Sequence, residues 1–235
     1  MEQDGRTLHM QAAEAREKGN FLGSLEFIDQ ATIAYQKQGD KLGMAEVRAE
    51  GFLNYLHLYR ETDDHSFLIL ARHAAEEGVE IAKESGDKTA LALPEFNLGK
   101  AQEALGKYQL AVQTYKQALE DLINNPPAIQ RVDERPAMVD DVKVHLATTE
   151  YKNGDKSALE RAEEALKDME GAAELSDYNK NVWLSGGHMR IAEILREDNS
   201  QKAKEHLEEA KKIIDSDERL KLRKQQWKKL AASFK

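Results

Sequence analysis

One spacing of small side chains recurs along the chain and limits how it can fold. A small residue, a second residue four positions on and another small residue three positions further occur five times, and 47, 40, 47 and 45 residues separate successive first members. The positions are Ser24, Ile28 and Ala31; Ala71, Ala75 and Gly78; Ala111, Tyr115 and Ala118; Ala158, Ala162 and Ala165; and Ala203, Leu207 and Ala210. Steps of four and three place each set on one side of an α-helix, where small side chains let a neighbouring helix approach closely.

A second helical pattern precedes each of these stripes, and a short turn separates the two. The turns lie at 19–20, 61–66, 106–107, 153–155 and 197–200. The repeated element is therefore helix, turn, helix, which predicts an all-α solenoid of five antiparallel helix pairs. The repeats are expected near 6–38, 41–85, 88–123, 137–174 and 178–214. First helices are expected at 6–18, 41–60, 88–105, 137–152 and 178–196, and second helices at 22–37, 66–85, 108–123, 156–174 and 200–214.

Composition agrees with an all-α fold and excludes several kinds of chemistry. Charged residues make up 33% of the 235 residues, aromatic residues 6%, and only 4 residues are proline, a balance typical of helical proteins. The chain has no cysteine, which excludes disulfides, thiolate metal sites and cysteine nucleophiles. The amino terminus shows no signal-peptide pattern, and no apolar run approaches the ~18 residues of a membrane span. We therefore expect a soluble, cytoplasmic protein.

The net charge is unevenly distributed along the chain. The total is -9, and because residues 219–235 contribute seven Lys or Arg and no acid, residues 1–218 carry -16. An acidic body repels a phosphate backbone, so we expect no nucleic-acid binding by the main surface, although the tail alone could make such contacts.

The segment 124–137 is the one long connection between predicted helices. It contains three prolines, which stop helix propagation and predict either an extended loop or a soft joint between halves.

The last predicted helix, 217–232, lies in a basic segment that follows the predicted repeat domain of residues 1–216. Leu220, Trp227 and Phe234 are seven residues apart and form an apolar stripe. We expect the segment 217–235 to be an amphipathic helix that caps the end of the repeats. Binding of anionic lipid, nucleic acid or an acidic groove by its basic face is the alternative.

Residues 98–118 resemble the tetratricopeptide (TPR) repeat. The matching positions are Leu98, Gly99, Gly106, Tyr108, Ala111, Tyr115 and Ala118. The period of 40 to 47 residues and the Gly-Asp that closes two repeats are similar to the extended repeats of Leu-Gly-Asn scaffolds, kinesin light chains and bacterial peptide-pheromone receptors. The resemblance implies a right-handed superhelix whose concave side is lined by first helices and binds peptides or proteins.

By position in this family, five polar residues are expected to share the concave side and to bind a peptide. They are Asn97, Lys100, His145, Thr148 and Lys152. Asn97 stands where related scaffolds carry an asparagine that hydrogen-bonds a peptide backbone, and offsets of three and seven keep the last three residues on one helix face. That all five are ordinary solvent-exposed residues is the alternative.

The carboxylate clamp of chaperone-binding relatives is incomplete in this sequence. His9, Ala13 and Asp141 occupy places where the clamp requires other residues. We therefore expect no binding to the carboxyl-terminal tails of chaperones.

No motif in the sequence indicates catalysis. Asp63, Asp64 and His65 with His73 are the one local group of metal-ligand types, and their spacing favours a turn with an aspartate cap. Gly186 and Gly187 favour a close helix crossing over a phosphate loop. We expect no catalytic residue, no metal and no cofactor.

The function that these patterns favour is a non-enzymatic scaffold that holds a peptide or helix of a protein partner in its groove. The alternative is a structural protein that assembles with copies of itself without a dedicated peptide ligand.

Overall fold

A computed structural model describes residues 4–127, 135–172 and 176–234, and the described residues form helices and no strand. The helices are α1 Gly5–Glu17, α2 Phe21–Gln38, α3 Lys41–Thr62, α4 Ser66–Ser85, α5 Ala92–Ala104, α6 Tyr108–Asn124, α7 Arg135–Lys152, α8 Ala158–Gly171, α9 Asp177–Leu195, α10 Ser200–Ser216 and α11 Lys221–Ala232. A short 3-10 helix, Lys88–Ala90, precedes α5. None of the described helices combines the length and apolar character that a bilayer crossing requires.

The helices pack in successive pairs, as the repeat spacing predicts. α1 packs on α2, α3 on α4, α5 on α6, α7 on α8 and α9 on α10. All fifteen residues of the five stripes are buried. The prediction that these small residues are contact points between packed helices is therefore confirmed.

The third repeat shows why a glycine is needed opposite the stripe. A Cβ atom on Gly99 would lie 2.5 Å from the ring of Tyr115. The ring of Tyr115 is fully buried, and its hydroxyl donates a hydrogen bond of 3.0 Å to Glu103 Oε2. In the first two repeats a single ring, that of Tyr35, contacts Gly5 and Gly43 in the same way.

A buried polar link joins the first repeat to the second. Ser24 Oγ donates to the carbonyl of Ala12 at 2.7 Å and accepts from Asn54 Nδ2 at 2.9 Å. Asn54 Nδ2 also lies 3.0 Å from the carbonyl of Glu50. Since both Ser24 and Asn54 are fully buried, these hydrogen bonds compensate Ser24 Oγ and Asn54 Nδ2 for the loss of solvent.

Glycine and aspartate set the junction between the second and third helices, as the recurring Gly-Asp-Lys predicts. Gly39 ends α2 with a left-handed φ of 68°, a conformation that glycine adopts without steric cost. Asp40 Oδ1 then accepts the backbone N–H of Gly43 at 2.9 Å and caps α3.

Two predicted helix starts differ from the structure by four residues, and side-chain hydrogen bonds explain both. The first helix of the third repeat was expected from 88, but Asp87 accepts the backbone N–H of Thr89 at 2.9 Å, and a 3-10 turn precedes α5. The last helix was expected from 217, but Asp217 Oδ1 accepts the backbone N–H of Arg219 at 3.0 Å, and α11 begins only at Lys221. An aspartate that accepts the N–H two residues on closes a turn of its own, whereas one that accepts the N–H three residues on, such as Asp40, caps a helix.

The chain divides into two compact units, unit 1 with Met1–Pro127 and unit 2 with Ala128–Lys235. The predicted connection at 124–137 lies partly outside the described residues, and so does the end of the predicted helix 156–174. Unit 1 contains the first three repeats. Unit 2 contains the last two repeats and α11.

In unit 2, the helix α11 packs against α9 and α10. Leu220 is buried with Ile214 of α10, and Trp227 is partly buried against the same cluster. Trp227 Nε1 donates a hydrogen bond of 2.9 Å to the carbonyl of Leu207. The apolar stripe of the last helix is thus used in packing against the fifth repeat.

Candidate functional site

In unit 1, the structure places Asn97 and Lys100 side by side on α5. Lys100 Nζ lies 3.5 Å from Asn97 Oδ1 and 3.8 Å from the centre of the Phe96 ring. Asn97 is 8% exposed and Lys100 is half-buried. The aromatic ring and the amide together hold the ammonium group near the asparagine, so that one donor and one amide occupy the same turn of α5.

In unit 2, the fully buried Thr148 of α7 holds an arginine from the next first helix. Thr148 Oγ1 donates to the carbonyl of Val144 at 2.8 Å. It accepts from Arg190 of α9 twice, from Nε at 3.1 Å and from Nη2 at 3.0 Å. Since Thr148 is fully buried, it is not available for direct contact with a ligand, and its hydroxyl positions Arg190 instead.

His145 and Lys152 each lie near a carboxylate. His145 Nε2 lies 3.9 Å from Asp141 Oδ1 of the same helix, and Lys152 Nζ lies 3.7 Å from Glu193 Oε2 of α9. Together with Arg190 these residues form what we call the α7–α9 face. It carries both donors and acceptors, the two kinds of group that can pair with the C=O and N–H groups of a peptide backbone.

Arg190 was missed in the sequence, although one signal points to it. In the structure a Cβ atom on Gly187 would lie 3.1 Å from Leu166, so Gly187 packs on the second helix of the preceding repeat. The predicted close crossing at this glycine is thereby confirmed. Gly187 lies three residues before Arg190 on α9, so the predicted crossing could have drawn attention to this arginine.

In unit 1, an ion pair joins α1 and α3, the first helices of the first and second repeats. Arg16 Nε lies 2.5 Å from Glu50 Oε1, and both side chains are largely buried, with 16% and 8% exposed. Arg16 also pairs with Glu17. A guanidinium held between two carboxylates fixes α1 against α3.

The carboxyl group of Glu95, two residues before Asn97, is buried next to the carboxyl group of Asp121. Burial and the nearby carboxyl of Asp121 raise the pKa of Glu95 to about 7. Asp121 accepts hydrogen bonds from Gln117 Nε2 at 2.8 Å and from Asn125 Nδ2 at 3.1 Å. Glu95 therefore keeps its proton to a higher pH than an ordinary glutamate does.

The described residues do not supply a metal centre. No group of three or more His, Asp or Glu among them is arranged to hold a metal ion. The acidic turn at 63–66 serves α4 instead, because Asp64 Oδ1 accepts the backbone N–H of Ser66 at 2.8 Å. His73 Nδ1 lies 3.5 Å from Glu76 Oε2 of its own helix.

No protein-family model matches the chain, and no curated protein matches it in sequence. Solved structures do match it. Two crystal structures of a putative kinesin light chain from Podosopora anserina, with nearly identical TPR-like repeats, are 18% identical to it, each with a TM-score of 0.57. The matches cover 90% and 91% of this chain and 94% and 97% of those chains. BtubC (BKLC) from P. vanneervenii is 21% identical, covering 91% of this chain and 90% of that one, with a TM-score of 0.47.

The packed helix pairs and the matching structures define a helical-repeat protein. More particularly, the fold is that of the TPR-like repeats, as the sequence around Gly99 and Tyr115 predicts.

Proposed function

We propose that the chain is a non-enzymatic interaction module that holds an extended peptide or a helix of a partner protein against its first helices. The observation that carries this proposal is the pair of hydrogen bonds from Arg190 to the buried Thr148. An arginine held in this way is pre-organised, so less side-chain entropy is lost when its guanidinium binds a carbonyl or a carboxylate. The TPR-like fold supports the proposal, since helical repeats build extended binding surfaces.

The two units would contribute differently to binding. In unit 1, the amide of Asn97 can donate and accept at once and so pair with a peptide group, while Lys100 supplies a charge beside it. In unit 2, His145, Lys152 and Arg190 would bind carbonyl or carboxylate oxygens. Asp141 and Glu193 would accept from backbone N–H groups or from basic side chains of the partner.

A peptide library selected on the immobilised full-length chain tests the proposal. Recovered peptides are synthesised, and their Kd is measured with the wild type, with Arg190→Ala and with the double variant Asn97→Ala, Lys100→Glu. Losing hydrogen bonds to a charged group should weaken binding about tenfold or more. Lys204→Ala, an exposed lysine of α10 in the same repeat as Arg190, is the matched control and should leave Kd unchanged. If all variants bound the peptides with equal affinity, the first helices would not be the binding surface.

Self-association is a second candidate, favoured by one asymmetry of the surface. The large apolar side chains that are exposed in the described residues all lie in unit 1. They are Met10, Leu22, Ile33, Leu42, Ile69, Leu70, Leu110 and Ile123. Where exposed apolar groups form a contiguous patch, they are typical of protein interfaces. Light scattering at increasing protein concentration should show a rise in mass that Leu22→Ser reduces, and a constant monomer mass would exclude the candidate.

A further inference from the structure

Two histidines of the fifth repeat face each other across the packed helices α9 and α10. His188 Nδ1 and His206 Nδ1 are 2.9 Å apart. On its other side, His206 Nε2 lies 3.4 Å from Glu163 Oε1 of α8, and Lys202 Nζ lies 2.6 Å from the same oxygen. The contacts form a continuous polar chain across three helices, and we call it the histidine latch.

One arrangement of hydrogens satisfies the whole chain. If His206 Nε2–H donates to Glu163, then His206 Nδ1 is an acceptor, and His188 Nδ1–H must be the donor across the 2.9 Å contact. Both rings are neutral in this arrangement. A proton added to His206 Nδ1 would place two N–H groups against each other, and the attraction between α9 and α10 at this point would become repulsion.

The surroundings favour the neutral rings. Burial lowers the pKa of His188 to about 4, and the facing His206 acts in the same direction while Glu209 opposes it. Burial and Lys202 also lower the pKa of His206, while Glu163 and Glu205 oppose this shift. From α11, the guanidinium of Arg223 lies over Gly186 and adds a positive charge beside α9. The unfolded chain, whose histidines titrate near 6.5, therefore takes up protons before the latch does.

The distance between the rings favours a shared hydrogen over a shared metal ion. Two imidazole ligands of a tetrahedral zinc ion, each ~2.0–2.1 Å from the metal, are about 3.4 Å apart. The observed 2.9 Å is a hydrogen-bond distance. The part of the chain that the structure describes also offers no third ligand in a suitable arrangement.

The latch lies directly beneath the last helix. The carbonyl that accepts the indole N–H of Trp227 belongs to Leu207, the residue that follows His206. A shift of α10 at His206 therefore reaches α11 through this hydrogen bond. Both tryptophans of the chain, Trp183 and Trp227, belong to unit 2, so that tryptophan fluorescence reports on this unit alone.

We propose that the histidine latch makes unit 2 sensitive to acid: it ties α9 to α10 while both rings are neutral, and its protonation releases α10 and α11 from α9. The proposal is independent of peptide binding.

The test is a fluorescence titration of the full chain carrying Trp183→Phe, so that Trp227 alone emits. As the pH falls, the emission should shift to longer wavelength with a midpoint between about 4 and 6.5, the limits set by the buried and the ordinary histidine. In His206→Asn and His188→Asn variants of this chain the shift should be lost from that range. His73→Asn, which removes an exposed histidine of unit 1, should leave the titration unchanged.

Two results would overturn the proposal. One is an emission wavelength that stays constant over this pH range, or the same titration in both latch variants. The other is stabilisation of the parent chain by zinc chloride alone at neutral pH that His206→Asn abolishes, because a metal ion would then be the natural occupant. Far-ultraviolet circular dichroism at neutral pH shows which latch variants are folded, and the one that keeps its helix content is used.

Discussion

Two glycines inside first helices, Gly51 of the second repeat and Gly99 of the third, should respond to alanine with opposite signs. A Cβ atom on Gly99 would lie 2.5 Å from the Tyr115 ring, closer than any real contact, whereas a Cβ atom on Gly51 would meet only Ile28, at 4.0 Å. The ring of Tyr115 cannot easily retreat, since it is fully buried and packs with its centre 5.7 Å from that of Phe96. Gly99→Ala should therefore lower the free energy of unfolding by about 1–3 kcal/mol through overpacking.

Gly51→Ala should act in the other direction. Both glycines lie inside helices, where alanine is favoured by about 1 kcal/mol, and at Gly51 nothing opposes that gain. Urea unfolding followed by far-ultraviolet circular dichroism measures both changes in unit 1, which contains no tryptophan. If Gly99→Ala were as stable as Gly51→Ala, the ring of Tyr115 would not fill the space above Gly99, and the packing described for the third repeat would be incorrect.

Three further changes test the interior of unit 1. Tyr115→Phe removes a hydrogen bond to Glu103 and should cost about 1 kcal/mol in urea unfolding; no loss would mean that the bond contributes nothing. Ala111→Leu should cost about 1–3 kcal/mol by forcing helices apart, whereas the adjacent, half-buried Val112→Leu should be nearly neutral. Glu95→Gln should stabilise the chain at pH 7.5. Folding raises the pKa of Glu95 from 4.5 to about 7, so the stability that the protonated carboxyl contributes is lost as the pH rises through that range. After allowance for solvent screening, the gain in the free energy of unfolding is about 1–2 kcal/mol. The gain should vanish near pH 4.5, and thermal unfolding at both pH values measures it.

The helix pairs could be predicted from the sequence because their signals are local. The stripe from Ala111 to Ala118 needs only the helical period, and the boundary at Gly39 and Asp40 needs only the conformational freedom of glycine and a capping carboxylate. The start of α5 was predicted too early because the Asp87 side chain accepts the N–H of Thr89 and closes a turn there, which competes with a helix that starts at Lys88. Competition of this kind depends on geometry that a spacing rule does not contain.

The candidate site was harder to predict, since its contacts join residues of different repeats. Arg190 binds Thr148 across 42 positions, a separation that no local spacing pattern covers. The family position correctly places Asn97 and Lys100 next to each other. It does not distinguish a buried threonine that holds an arginine from an exposed one that touches a ligand.

The link between Ser24 and Asn54 has a consequence for the order of the modules. In an array of identical repeats any module can follow any other, and duplication or exchange leaves every junction intact. Here the serine hydroxyl of the first module is the partner of an amide in the second, so a transposed second module would leave its buried amide facing an alanine methyl. The side chains of these two modules therefore specify their order, and recombination that separated them would be selected against.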